Sequence, residues 1–227
     1  MGPYNRLPQP KWMLCAGISI LAAALSWCPA AMQHFRYDRD AILSGQVWRL
    51  VSGHLVHLNT THLMVNLAGL FLLCELLWNA LPLRHGLGIL LASTLGVSLM
   101  LWWLDPAVTW YVGLSGVLHG LWAGCALAGL LTLPAGRSAS SPRKDAWNAR
   151  GSEARWLCIG ALMLLGLKLG LEYAAGVELS STSTASHWIG APVVTAAHRY
   201  GALIGLAYVL AWQASGWLRQ AKPAIQG

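Results

Sequence analysis

Acidic side chains are scarce in this chain. Asp and Glu together number 8 among 227 residues, and charged residues of every kind make up only 10%. A soluble domain carries roughly 25%, so this composition does not build a water-facing surface. The scarcity of acids also argues against a proton-coupled transporter, which would favour paired carboxylates mid-membrane; only Glu75 sits there. The five cysteines (Cys15, Cys28, Cys74, Cys125, Cys158) form no CxxC pair and read as small buried hydrophobes. The net charge is +7, but the basic residues lie between apolar runs rather than on one face. That pattern is explained by membrane topology and not by nucleic-acid binding.

What the chain has instead is long uncharged runs. From Pro106 to Gly136 there is no Asp, Glu, Lys or Arg, and crossing a bilayer takes ~20 residues. Six spans are predicted, at about 12–32, 61–82, 86–104, 112–133, 155–175 and 191–218. The expected fold is an all-α membrane protein, a single six-helix transmembrane domain over residues 1–227, with a polar linker at about 134–154. The first run exceeds the ~7–15 residues of a signal-peptide core and is expected to stay as a helix. With six spans both termini share one side. That side holds ten of the fifteen basic residues, among them Lys11, Arg84 and Arg155, and is therefore cytoplasmic. The segment from Gln33 to Thr60, with Trp48-Arg49, is expected to be a folded loop on the other side, partly in the interface.

Spans 2, 4 and 6 run in the same direction, so their first turns lie at one depth. There the sequence places His62 and Asn66, Ser115, and His198. Polar groups in lipid are costly and should face one another. Gly116, Gly120 and Gly124 repeat at spacing four, as do Gly201 and Gly205. Two such surfaces let backbones approach closely, which would bring Ser115 beside His198. A serine hydroxyl is a weak nucleophile until a base takes its proton, and histidine suits that task. Free N–H groups at the start of span 4, with Asn66 and His62, could stabilise an oxyanion. No Asp or Glu lies near this depth in spans 2, 4 or 6, so a Ser–His dyad is expected rather than a triad. Glu75 and Lys168 read as packing or snorkelling groups, and Lys168 and Glu172 could pair, though in the poorer order on a helix. The spacing of His54, His57 and His62 does not suit a metal, and neither metal nor cofactor is expected. Span 5 carries Gly160, Gly166, Gly170 and Gly176, read either as packing glycines or as a loosely held gate facing span 2.

These elements resemble the rhomboid family of intramembrane serine proteases. "GLSG" at 113–116 is similar to its GxSG, "AHRYGALIG" at 197–205 to its AHxxGxxxG, and "HLMVN" at 62–66 to its HxxxN. Trp48-Arg49 resembles the WR of its first loop, and His57 its additional histidine. The resemblance implies Ser115 as nucleophile and His198 as base. It implies an oxyanion hole from Asn66, His62 and the backbone at Gly113, Leu114 and Ser115, with Gly116 and Gly201 permitting the close approach. Many rhomboids carry Tyr four residues after the serine, where this chain has His119. His119 is expected to contact the His198 ring. "SGVLHG" and the short chain look more like the rhombosortase branch, associated with Gram-negative bacteria. That branch implies cleavage near Gly-Gly in the C-terminal tails of membrane-anchored exported proteins, in the inner membrane, with the site open to the periplasmic side. A catalytically inactive relative that binds transmembrane segments is the alternative, against which the intact Ser115, His198 and Asn66 argue.

Overall fold

The computed structural model describes residues 9–28, 30–132, 151–174 and 193–221. The linker up to residue 150, Gly176 and the expected start of span 6 at 191 lie outside them. Within the described residues are nine α-helices. Six are long: α1 (Pro10–Ser26), α5 (Thr60–Leu76), α6 (Leu83–Leu104), α7 (Ser115–Thr132), α8 (Gly151–Ala174) and α9 (Ala196–Ala221). Three short ones, α2 (Ala31–Phe35), α3 (Arg39–Leu43) and α4 (Arg49–Ser52), fold the loop between α1 and α5. By length and composition α6, α7 and the stretch Glu153–Ala174 of α8 could each cross a membrane, and α1 and α5 are shorter apolar helices. The chain is a multi-pass, helical membrane protein.

Local chemistry sets several helix ends differently from the expected spans. Span 1 was expected to reach residue 32 but α1 stops at Ser26, because proline at 29 cannot continue the hydrogen-bond ladder. Asn59 caps α5, its side chain accepting the His62 N–H at 2.9 Å. At its far end α5 gives way to a 3-10 turn, Trp78–Ala80, ahead of Pro82. Helix α7 starts at Ser115 rather than 112, because Gly113 has φ +110° and breaks any helix before it. Helix α9 starts at Ala196 rather than 191, with His198 in its first turn.

Helix α7 is the centre of the bundle: 67% of its apolar window is buried, against 33% for α6 and 11% for α8. It packs most intimately against α9. On its other flanks the core of Leu70, Leu73, Leu77, Trp78, Ile89, Leu121 and Cys125 joins α5, α6 and α7. Cys15 of α1 and Cys74 of α5 also meet in this core, with Cα atoms 7.8 Å apart.

The loop is pinned to the bundle at the site end. Strand β1 (Tyr37–Asp38) pairs antiparallel with β2 (Trp110–Tyr111), just before α7. The buried Arg49 donates to the Gln33 and Arg36 carbonyls at 2.9 Å each. Arg39 donates to the Leu101 and Trp102 carbonyls at 2.9 and 3.0 Å, placing a cation at the C-terminus of α6. His54 donates from Nε2 to Ser98 Oγ at 3.0 Å, and Ser98 in turn donates to the Leu50 carbonyl at 2.6 Å.

Candidate functional site

Gly113 adopts the left-handed backbone that favours glycine, and a Cβ there would strike the His62 imidazole. The resulting sharp turn sets Ser115 as the first residue of α7. Tyr111 braces the turn: its hydroxyl donates to the Gly113 carbonyl at 2.7 Å and accepts the Gly116 N–H at 3.4 Å. Burial pushes the Tyr111 phenol up to about 12, with its contacts to Ser115 and Gly116 pulling the other way, so it stays a donor. This bracing tyrosine had no motif to announce it.

Helix α9 brings the base. His198 Nε2 lies 3.1 Å from Ser115 Oγ, although 83 residues separate them in sequence. The approach depends on missing side chains. A Cβ on Gly201 would run into the Gly116 carbonyl, one on Gly205 into the Gly120 carbonyl, and one on Gly116 into Ala197. The two helices therefore meet backbone to backbone. One turn below the serine, His119 donates from Nδ1 to the Ser115 carbonyl at 2.7 Å. Its ring stacks on that of His198, centroids 4.1 Å apart and planes 13° apart.

Helix α5 faces the same point. His62 Nδ1 accepts the Leu58 N–H at 3.4 Å, so the neutral ring carries its proton on Nε2, beside Gly113. Asn66 is buried and donates from Nδ2 to the His62 carbonyl at 2.8 Å, leaving a second amide hydrogen. One expected donor drops out: the Gly113 N–H is given to the Gly53 carbonyl at 3.0 Å. Gly113 thus shapes the turn, and Leu114 and Ser115 are among the residues at the helix start whose N–H groups have no intrahelical partner. His57 packs edge-on against His62, ring centroids 5.1 Å apart.

The expectation of an isolated dyad is corrected here. Both carboxylate oxygens of Glu172, on α8, lie 3.1 Å from His198 Nδ1. Glu172 also pairs with Lys168 one turn earlier, and Lys168 Nζ is 3.3 Å from the same Nδ1. Span 5 runs opposite to spans 2, 4 and 6, so its last turn, not its first, reaches their depth. That reversal is the signal by which Glu172 could have been found.

Two cavities open on Ser115. One, of about 160 Å³, is walled by Leu58, His62, Val112 and Val193. The other, of about 620 Å³, is an apolar groove between α5 and α8, lined by Asn66, Gly69, Leu118, Trp122, Gly160 and Ala161 among others. Among the described residues no group of three or more His, Cys, Asp or Glu is placed to hold a metal ion.

No curated protein matches the chain. Residues 44–214, which include every residue of this site, match the model of the Rhomboid domain. By that match over most of its length, the chain belongs to the rhomboid family.

Proposed function

We propose that the chain is an intramembrane serine endopeptidase, with Ser115 as nucleophile and His198 as base. Most rhomboids are serine proteases, and the family implies transmembrane protein substrates generally. The observation that carries the reading is the 3.1 Å contact between Ser115 Oγ and His198 Nε2, held by helices locked through glycine. The serine oxygen attacks the scissile carbonyl carbon while its proton passes to His198 Nε2. The developing oxyanion is received by the N–H groups of Leu114 and Ser115, by Asn66 and by His62 Nε2–H. Collapse breaks the C–N bond, and the imidazolium returns the proton to the leaving nitrogen. Water, activated by the same histidine, then releases the acyl group.

The groove between α5 and α8 supplies a lateral route for a substrate helix to Ser115. The finer reading, a rhombosortase-like cut near Gly-Gly in the C-terminal tail of an anchored exported protein, rests on the resemblance of "SGVLHG" at 115–120. The basic termini and linker support an orientation with both ends in the cytoplasm and the site open to the periplasmic face of the inner membrane.

The test is co-expression with tail-anchored substrates carrying Gly-Gly, with the cut mapped by mass spectrometry. Cleavage within a few residues of Gly-Gly is expected, and none in Ser115→Ala. Turnover by Ser115→Ala would remove the serine mechanism. A cut far from Gly-Gly would remove only the branch.

A further inference from the structure

The dyad has a third partner, contributed by the helix that lines the substrate groove. We propose that Glu172 is a positioning residue that fixes the tautomer of His198 against the competing pull of Lys168. The inference rests on the serine-protease reading above.

To accept the serine proton, His198 Nε2 must be bare. In a neutral imidazole the hydrogen then sits on Nδ1. Two groups of α8 meet that nitrogen. Glu172 presents both oxygens at 3.1 Å and can only accept when ionised. Lys168 presents an ammonium at 3.3 Å and can only donate. The two demand opposite tautomers. Glu172 draws the hydrogen to Nδ1 and leaves Nε2 free for Ser115. Lys168, given the Nδ1 lone pair, would put the hydrogen on Nε2 and silence the base. Glu172 prevails because it also engages Lys168 directly in an ion pair, so the ammonium is spent on the carboxylate. After proton transfer the same carboxylate faces the imidazolium and stabilises it.

The other neighbours of the ring do not substitute. His119 stacks on its face and commits its Nδ1–H to the Ser115 carbonyl. Arg199 is a cation whose guanidinium lies 5.8 Å from the Tyr173 ring centroid. Within the described residues Glu172 is the carboxylate on Nδ1.

Glu172→Met and the double variant Lys168→Met/Glu172→Met are compared with the parent chain, using labelling by a fluorophosphonate, substrate cleavage and thermal unfolding in detergent. Nitrogen NMR of the histidines reads the tautomer. The single variant is expected to label and cleave at least ~10²-fold more slowly, since a wrong tautomer in a serine triad costs up to ~10⁴-fold. Its His198 should move to Nε2–H. The double variant should recover at least tenfold over the single, because the competing donor is gone. Equal rates for parent and single variant, or no recovery in the double, would overturn the proposal. These outcomes leave the protease reading standing so long as Ser115→Ala is inert. Activity in Ser115→Ala would overturn both. Thermal unfolding normalises each rate to folded protein, and the tautomer signal is unaffected by a change in folded yield.

Discussion

Glycines repeat at helical spacing on two faces of this bundle, with opposite consequences. Between α7 and α9 a methyl group on Gly201 or Gly205 would collide with backbone of the facing helix. On α8, Gly160, Gly166 and Gly170 have nothing within 4 Å of the position a Cβ would take. The first set makes a contact; the second leaves a surface bare. Sequence spacing is the same kind of signal in both places, and only the partner separates a seam from an open face. For α8 the packing reading of these glycines therefore gives way. The helix is held mainly along α7, through Cys158 against Gly129 and Trp122 Nε1 donating to the Ala161 carbonyl at 2.9 Å. Its last turn reaches α9 through polar groups at His198.

Breaking the seam should have the largest effect. Gly201→Val must push α9 off the Gly116 carbonyl, and with it His198 from Ser115. A misplacement of ~1 Å costs about 10²-fold, so labelling of Ser115 by a fluorophosphonate should fall at least that far, with a lower unfolding temperature. Unchanged labelling would show that the seam does not set the dyad.

The open face predicts a different signature. Gly160 borders the groove that opens on Ser115, a Cβ there has nothing within 4 Å, and Gly160→Leu extends a side chain into the groove. Cleavage of a transmembrane substrate should drop by ~10-fold through KM, as expected for lost binding rather than lost chemistry. Fluorophosphonate labelling and unfolding temperature should match the parent. A parallel loss of labelling would mean that the groove and the dyad are not separable.

Much of this was legible before any coordinates. The apolar runs located the long helices, of which α6, α7 and most of α8 are long and apolar enough to cross a membrane. The matched direction of spans 2, 4 and 6 brought Ser115, His198 and His62 to one level, and the glycine repeats named the helix pair that joins them. The misses share a cause: they depend on three-dimensional partners of residues without a motif. Tyr111 braces the Gly113 turn from outside the helix, and Glu172 arrives on a helix of opposite direction. Helix ends also shifted, because Gly113, Pro82 and the Asn59 cap act locally while hydropathy averages over a window.

The loop offers a third measure of how firmly the site end is built. Burial holds His54 down to about 4, and burial followed by the neighbouring His62 holds His57 down to about 3. Exposed histidine titrates near ~6.5. Above that pH neither state takes up protons and the two groups leave stability unchanged. As pH falls below ~6.5 the unfolded chain gains protons that the folded chain refuses, so stability drops until the folded values are reached. The slope is up to about 1.4 kcal/mol per pH unit for each histidine. Unfolding temperature measured from pH 7 to 4.5 should fall steadily, and less steeply in His54→Gln, which keeps a donor toward Ser98. A flat profile in the parent would mean that the loop is not closed around these rings.

The smallest effect is expected where the two glycine faces differ most simply, in the response to one added methyl. Gly166 and Gly170 are exposed on α8 with open space beside them. Alanine there meets no atom and removes backbone freedom from the unfolded segment, a gain of ~0.5–1 kcal/mol in a helix interior. Gly166→Ala and Gly170→Ala should therefore leave labelling unchanged and raise the unfolding temperature slightly. The same change at Gly205 puts its methyl onto the Gly120 carbonyl and should lower both. The sign of the temperature shift, opposite for one chemical change in two helices, is the discriminating readout. If Gly166→Ala or Gly170→Ala destabilised as Gly205→Ala does, α8 would have to pack against a partner through that face, and the open reading of it would fail.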